Sequence, residues 1–342
     1  KTTKIMVAPI NTSDYDDYND SVVIPSQSPV IYEMYQMRTG LRLMYVSVYS
    51  ANLLLGLLLN SAVIFMIVWK YRSKKKLSRR MLILGLAVTH LIFCLFTPLY
   101  LITAWNYFSW TFGKVACKLG SFVMFMNMFS ASVMITFWNV RWCVPKCFEH
   151  HMSSSMVLLS WFTGAILSAP SLLSREVQYT ADGHVCLDNY DYTEQHQISK
   201  EGKERMMAVV SCRLIFGLLL PLGATCVSRC CINSRGNNQV KSLVIRPVTI
   251  AHFLCWAPVL CLSMLQIAVE TDNRWFRYVL STATALSVLN SCIYPIICIW
   301  QGNKELKHNF RSQPEETPQT EDKGEEGHEM TCLDREYNVL EQ

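Results

Sequence analysis

Apolar runs about 20 residues long, each nearly free of charge, alternate with short charged segments along most of the chain. They fall at Leu43 to Trp69, Met81 to Ala104, Val115 to Val140, Met156 to Ser171, Met206 to Val227, Leu243 to Val269 and Phe276 to Trp300. A helix needs about 20 apolar residues to cross the hydrocarbon core of a bilayer, so each run predicts a span. The expected fold class is an all-α membrane protein, a seven-transmembrane helix bundle over residues 43–300, with the lipid bilayer as its first partner. The fourth run is short, and polar residues interrupt the third and sixth. Seven spans put the two ends of the chain on opposite sides of the membrane.

The segments outside the runs set orientation. The first connection reads KYRSKKKLSRR, and Lys304, Lys307 and Arg311 follow the last run. Basic residues near span ends favour the cytoplasm, so the amino terminus is expected outside in a multi-pass plasma-membrane protein. Residues 1–42 are polar, acidic and proline-containing, which predicts a flexible extracellular tail. Within it, Asn11-Thr12-Ser13 and Asn19-Asp20-Ser21 are glycosylation acceptor patterns, so Asn11 and Asn19 are candidate sites. Asp14, Asp16, Asp17 and Asp20 surround Tyr15 and Tyr18. That is either a solvated acidic tail or an attractor for a basic ligand. Residues 312–342 are strongly acidic and predict a disordered cytoplasmic tail in which Ser312, Thr317, Thr320 and Thr331 are candidate phosphorylation sites.

Composition agrees with a membrane bundle: 51% of the 342 residues are hydrophobic and 17% charged. Most of the 14 cysteines lie within the runs, where a thiol packs as a small hydrophobe. Cys117, at the outer start of the third run, and Cys186, in the long outer loop after the fourth, share an oxidising compartment and are expected to be bonded. Cys143, Cys147, Cys230, Cys231 and Cys332 face the reducing side, where S-acylation is one option. Pro98, Pro170, Pro221, Pro258 and Pro295 each fall within or near the end of a span. Each removes a backbone donor and bends a helix, which opens a cavity in the outer half of the bundle. No inverted repeat marks a transporter, and no paired carboxylates or nucleophile with a base mark an enzyme. Nothing in the sequence requires a cofactor, a metal or nucleic acid.

Several local stretches carry a family resemblance. They are WTFGKVAC (Trp110 to Cys117), NMFSAS (Asn127 to Ser132), Trp161 with LSAPSL (Leu167 to Leu172), RLIFGLLLP (Arg213 to Pro221), FLCWAP (Phe253 to Pro258) and ATALSVLNSCIYP (Ala283 to Pro295). As a set they resemble the rhodopsin-like (class A) G protein-coupled receptors, from about Val46 to Phe310, and most of all the chemoattractant branch that includes the chemerin, formyl peptide and complement anaphylatoxin receptors. GNKELK (Gly302 to Lys307) matches the family's short amphipathic helix on the membrane surface, expected at residues 301–311. The resemblance implies a cell-surface receptor for a chemoattractant-type peptide or small protein, with a heterotrimeric G protein or arrestin on the inner face.

The resemblance fails at linked inner positions. Counting from Cys117, the family's Asp-Arg pair falls on Arg141 and Trp142. Its Gly-Asn becomes Leu59 with Asn60, its sodium-binding Asp becomes His90, its sixth-helix Phe becomes His252 and its fifth-helix Tyr becomes Arg229. The seventh-helix Asn-Pro-x-x-Tyr pattern starts at Tyr294 and ends at Cys298. Trp142 has one N–H donor and no charge, so it cannot perform the switching Arg's role. Arg141 carries its charge one residue early, about 100° around the helix. Weak or absent G-protein coupling is therefore predicted, with a non-signalling decoy or scavenger as the alternative. A neutral imidazole at His90 is a poor sodium ligand; it either hydrogen-bonds Asn60 or Asn290 or serves as a pH sensor.

The outer half departs less. Trp256 and Pro258 remain at the expected floor of a pocket, and Arg213 stands near the outer side of the fifth span. Related receptors use an Arg there for a ligand's acidic group; pairing with an acid of the outer loops is the other option. Tyr100, Trp105, Trp110 and Met128 either line the same cavity or anchor the membrane interface.

Overall fold

The computed structural model describes residues 29–70, 80–140, 149–180, 183–191, 199–234, 245–269 and 274–311. Among them are seven helical segments long and apolar enough to cross a membrane. In chain order the elements are α1 (Pro29–Lys70), α2 (Met81–Trp105), α3 (Gly113–Val140), α4 (Glu149–Ser168) and the short α5 (Pro170–Ser174). Two strands follow, β1 (Arg175–Thr180) and β2 (Gly183–Asp188), then α6 (Lys200–Leu214), a π turn (Ile215–Leu219) and α7 (Leu220–Ser234), which form one span. The last elements are α8 (Ile245–Val269), α9 (Arg274–Ser287) and α10 (Asn290–Arg311).

The first helix starts earlier than the hydrophobic pattern predicts, so residues 29–42 are helix and not tail. Pro29 occupies the first helical position, where its missing N–H costs nothing. The extension is then anchored sideways: Arg38 Nη2 donates to Tyr107 O at 3.0 Å and Arg42 Nε donates to Trp105 O at 3.2 Å. Arg42 also stacks over the Tyr107 ring, 4.0 Å from its centroid. These contacts hold the turn after α2, where Tyr107 (φ 53°) and Phe108 (φ 65°) both adopt left-handed backbone. Residues 301–311 continue α10 as helix.

Helix α3 is the most buried span and touches α2, α4, α7 and α8. Side chains from it enter both halves of the core. One cluster joins Val63, Leu86, Met134, Trp138, Ile245 and Tyr294; the other joins Tyr49, Phe93, Phe125, Phe129, Trp256 and Leu260. Within a bilayer, lipid tails are as apolar as these side chains, so close packing and interhelical hydrogen bonds must hold the bundle. Trp161 Nε1 donates to Thr89 Oγ1 at 2.8 Å, tying α4 to α2, and Lys118 Nζ donates to Leu172 O at 2.7 Å, tying α3 to α5.

Helix α4 approaches α3 closely at Gly164. A Cβ there would collide with Ser130 Oγ and meet the Ser130 backbone nitrogen at 3.1 Å. The side chain could turn away but the backbone cannot. Gly164→Ala is expected to cost about 1–3 kcal/mol by overpacking. Gly223 is the control, because nothing lies within 4 Å of a Cβ placed there. Melting of purified protein in lipid nanodiscs should show a clear loss for Gly164→Ala and none for Gly223→Ala; equal behaviour would contradict the crossing.

At one end of the bundle, β1 and β2 pair antiparallel from Arg175↔Asp188 to Thr180↔Gly183. The Cys117–Cys186 disulfide ties this hairpin to the first turns of α3, as the sequence predicts. Trp110 N–H donates to His184 O at 2.7 Å and Lys114 pairs with Glu176 at 3.2 Å, so the hairpin has further anchors beside the covalent one.

Candidate functional site: the cavity beneath the hairpin and the midplane network

Beneath the hairpin lies a cavity of about 430 Å³. Met124 and Phe125 of α3, Val210 of α6 and Val259 and Leu260 of α8 give it apolar walls, with Trp256 among the lining residues one helical turn below Leu260. Its charge comes from the hairpin and α6: Arg175, Asp188 and Arg213 all face it. Arg175 Nε stands 3.0 Å from Asp188 Oδ1, and Ser174 Oγ donates to the same oxygen at 3.2 Å.

Arg213 has no such counter-ion. It is 8% exposed, its Nη2 donates to Ser171 Oγ at 3.4 Å, and its Cζ lies 3.6 Å from the Phe125 ring centroid. Among the described residues no carboxylate stands within ion-pair distance of it, and Asp188 of the outer hairpin pairs with Arg175. Burial raises the Tyr190 hydroxyl above its ordinary pKa, and the neighbouring Arg213 guanidinium works against that rise. A buried cation whose neighbours are the Ser171 and Tyr190 hydroxyls and an aromatic face is incompletely satisfied, since each guanidinium carries five N–H donors.

Of the sequence-predicted lining residues, Arg213 and Trp256 face this cavity. Tyr100, Trp105 and Met128 do not. Tyr100 turns toward α1 and stacks on Tyr49 with centroids 5.6 Å apart. Trp105 is 61% exposed at the end of α2, where Arg42 lies over its ring. Met128 is fully buried against Gly217. Trp110, likewise, is buried and donates through Nε1 to Gly113 O. The hairpin residues Arg175 and Asp188, and Tyr190 just beyond them, went unpredicted, although Cys186 was the signal that brings them over the mouth.

Farther from the hairpin, polar groups join the helices at mid-bundle. Pro221 cannot donate a backbone hydrogen bond, so neither Phe216 O at π spacing nor Gly217 O at α spacing can accept one from it. Each is taken by another helix. Ser132 Oγ of α3 donates to Phe216 O at 2.5 Å, and His252 Nε2 of α8 lies 2.8 Å from Gly217 O. A carbonyl only accepts, so His252 carries its proton on Nε2. Asn60 Nδ2 donates to Gly56 O at 2.8 Å and to Ser291 O at 2.9 Å, joining α1 to α10.

His90 bonds neither Asn60 nor Asn290. Its Nδ1 lies 3.3 Å from Ser291 Oγ, and its ring centroid is 5.1 Å from that of Tyr294. The turn at residues 288–289, between α9 and α10, presents Ser291 to α2 instead of Asn290. Serine, tyrosine, the Asn127 amide and a neutral imidazole offer no negative charge, so this set of neighbours does not fit the sodium ion that the family's carboxylate holds. Tyr294 Oη donates to Ile83 O at 2.8 Å and so fastens α10 to α2. Cys298 is half-buried beside the same cluster. Arg229 is exposed on α7 while the preceding Ser228 is buried, so the guanidinium does not enter the bundle. Arg141, Trp142, Asn11 and Asn19 lie outside the described residues.

A seven-span bundle with a cavity and a disulfide tying the outer loop to α3 is the architecture the sequence predicts, and the structure adds that the loop is a hairpin. The family model described as "7 transmembrane receptor (rhodopsin family)" matches residues 59–297. The chain belongs to this family. Human "Chemerin-like receptor 1" is 28% identical over 313 residues, covering 84% of this chain and 82% of the relative. Rat "Chemerin-like receptor 2" is 28% identical over 282 residues, 77% of each chain. Rabbit "C5a anaphylatoxin chemotactic receptor 1" is 24% identical over 314 residues, 85% of each. These relatives place the receptor in the chemoattractant branch. It is a cell-surface, multi-pass plasma-membrane receptor and not an enzyme.

Proposed function

We propose that this receptor captures an extracellular peptide or small protein by seating an acidic terminus on Arg213, and that it couples weakly or not at all to G proteins. The observation that carries the first half is the buried Arg213 guanidinium, which faces an apolar cavity with no carboxylate beside it among the described residues. A ligand carboxylate would complete its hydrogen bonding through a bidentate, charge-assisted contact. The names of the relatives, chemerin-like and anaphylatoxin chemotactic receptors, support a peptide or protein ligand. A cavity of 430 Å³ holds only a few side chains, so the terminus enters and the body stays on the hairpin face. The dense basic connection at residues 70–80 supports an extracellular hairpin end.

The second half rests on Trp142 standing where the family keeps its switching Arg, with Arg229 and Cys298 in place of two tyrosines. These substitutions equally support a decoy that captures and internalises ligand, with arrestin as an inner partner recruited by the acidic tail at residues 312–342. The acid-seating claim is tested on cells displaying the chain with chemoattractant peptides ending in a free carboxylate or in the matched amide. Acid forms should be captured at least tenfold better, about 1.4 kcal/mol. Equal capture of both forms would refute the seat.

A further inference from the structure

Among the described residues the cavity is lined by two guanidiniums and one carboxylate, and the carboxylate is not shared between them. Arg175 and Asp188 face each other directly across the hairpin, with Nε 3.0 Å from Oδ1. Arg175 Nη1 also donates to Cys186 O at 3.2 Å, and Ser174 Oγ donates to Asp188 at 3.2 Å, so both partners are held in place. Their side chains keep only 19% and 24% of their exposure. Arg213 lines the same cavity from α6 without a carboxylate beside it among the described residues. Opposite charges at this range cancel for a third charge farther away, whereas an unpaired one does not.

We propose that Asp188 sets the ligand charge this cavity accepts. By holding Arg175 it leaves Arg213 as the cavity's single uncompensated cation among the described residues, so the cavity selects a segment with one anionic group on an apolar body and rejects one with two. A second carboxylate would have to displace Asp188 from Arg175 or sit against it, and like-charge juxtaposition is a strong source of discrimination. The inference rests on the seating of an acid by Arg213. A peptide terminus and a simple aryl-alkyl carboxylate share the required chemistry.

The test uses the full chain in nanodiscs and four probes measured by saturation-transfer NMR: N-acetyl-Phe-Phe as the free acid, the same peptide as the amide, N-acetyl-Phe-Asp with two carboxylates, and 4-phenylbutyrate. The native receptor should bind the Phe-Phe acid about tenfold more tightly than the amide or the diacid. Asp188→Asn should release Arg175 and raise diacid affinity about tenfold, with a change below about threefold for the Phe-Phe acid. Asp188→Glu should keep the native order. Arg175→Gln gives the opposite sign: it frees Asp188 to oppose Arg213 and should weaken the Phe-Phe acid about tenfold with Arg213 intact.

Phenylbutyrate binding as tightly as the Phe-Phe acid identifies the carboxylate and its apolar body as what is read. Weaker phenylbutyrate adds the peptide backbone, and either result supports the charge rule. An unchanged acid-to-diacid ratio in Asp188→Asn and Arg175→Gln overturns the role of Asp188 while the Arg213 seat stands. If the native receptor binds the amide as well as the acid, or binds none of the probes, the seat falls and this inference falls with it.

Discussion

Replacing Arg213 with Leu should abolish capture of a carboxylate-ended peptide while leaving the receptor at least as stable as before. The two halves have one physical origin. A buried guanidinium beside the Ser171 and Tyr190 hydroxyls and the Phe125 ring is underpaired until a ligand arrives, and removing one partner of a buried charge contact costs about 2–5 kcal/mol of binding. That corresponds to at least about 30-fold in affinity. In the empty protein the same guanidinium costs desolvation, so an apolar residue of similar volume is neutral or stabilising. Arg213→Lys keeps the charge without the planar fork and should fall between the two in affinity. Binding by the peptide and its amide, read beside melting of the empty protein, checks this. A marked fall in melting temperature with unchanged affinity would make Arg213 a packing residue.

Breaking the Cys117–Cys186 bond should have the largest effect on stability. The bridge closes a stretch with a sequence separation of 69 residues, and loops of that size correspond to about 4 kcal/mol of loop-closure entropy on the chain-entropy account. The hairpin retains the Trp110 N–H bond to His184 O and the Lys114–Glu176 pair after the bridge is lost. Lys114 is 63% exposed, so that pair adds little. Cys186→Ser should therefore lower the melting temperature and also weaken peptide capture, because Arg175, Leu187, Asp188 and Tyr190 all reach the cavity from the hairpin or just beyond it. Mild reduction of the native receptor should reproduce both losses. Capture that survives Cys186→Ser at full strength would show that the hairpin is no wall of the ligand site.

The seven spans were legible because a bilayer demands runs of about 20 residues with few charges, longer than a signal-peptide core. The early start of α1 was not, since Glu33, Arg38 and Arg42 interrupt its apolar character; its helix is fixed by contacts to the turn after α2, which are tertiary. Arg213 was legible because a charge inside a span is costly and so conspicuous. Tyr100, Trp105 and Met128 were harder to place: a helix apolar on every side carries no mark of which face meets a cavity and which meets lipid. Pro221 announced a missing donor, but the two carbonyls that cannot pair with it and their partners, Ser132 and His252, depend on how α3 and α8 lie against the π turn. The hairpin's alternating stretches hid its charges, because Arg175 and Asp188 come together only through the strand register.

The central claim is a receptor that captures ligand without ordinary coupling, and ligand-stimulated nucleotide exchange measured on the same cells as ligand uptake tests it most directly. Uptake should be saturable and depend on Arg213, with nucleotide exchange near the level of cells lacking the receptor. Robust exchange by the unmodified chain, rising with occupancy, would contradict it.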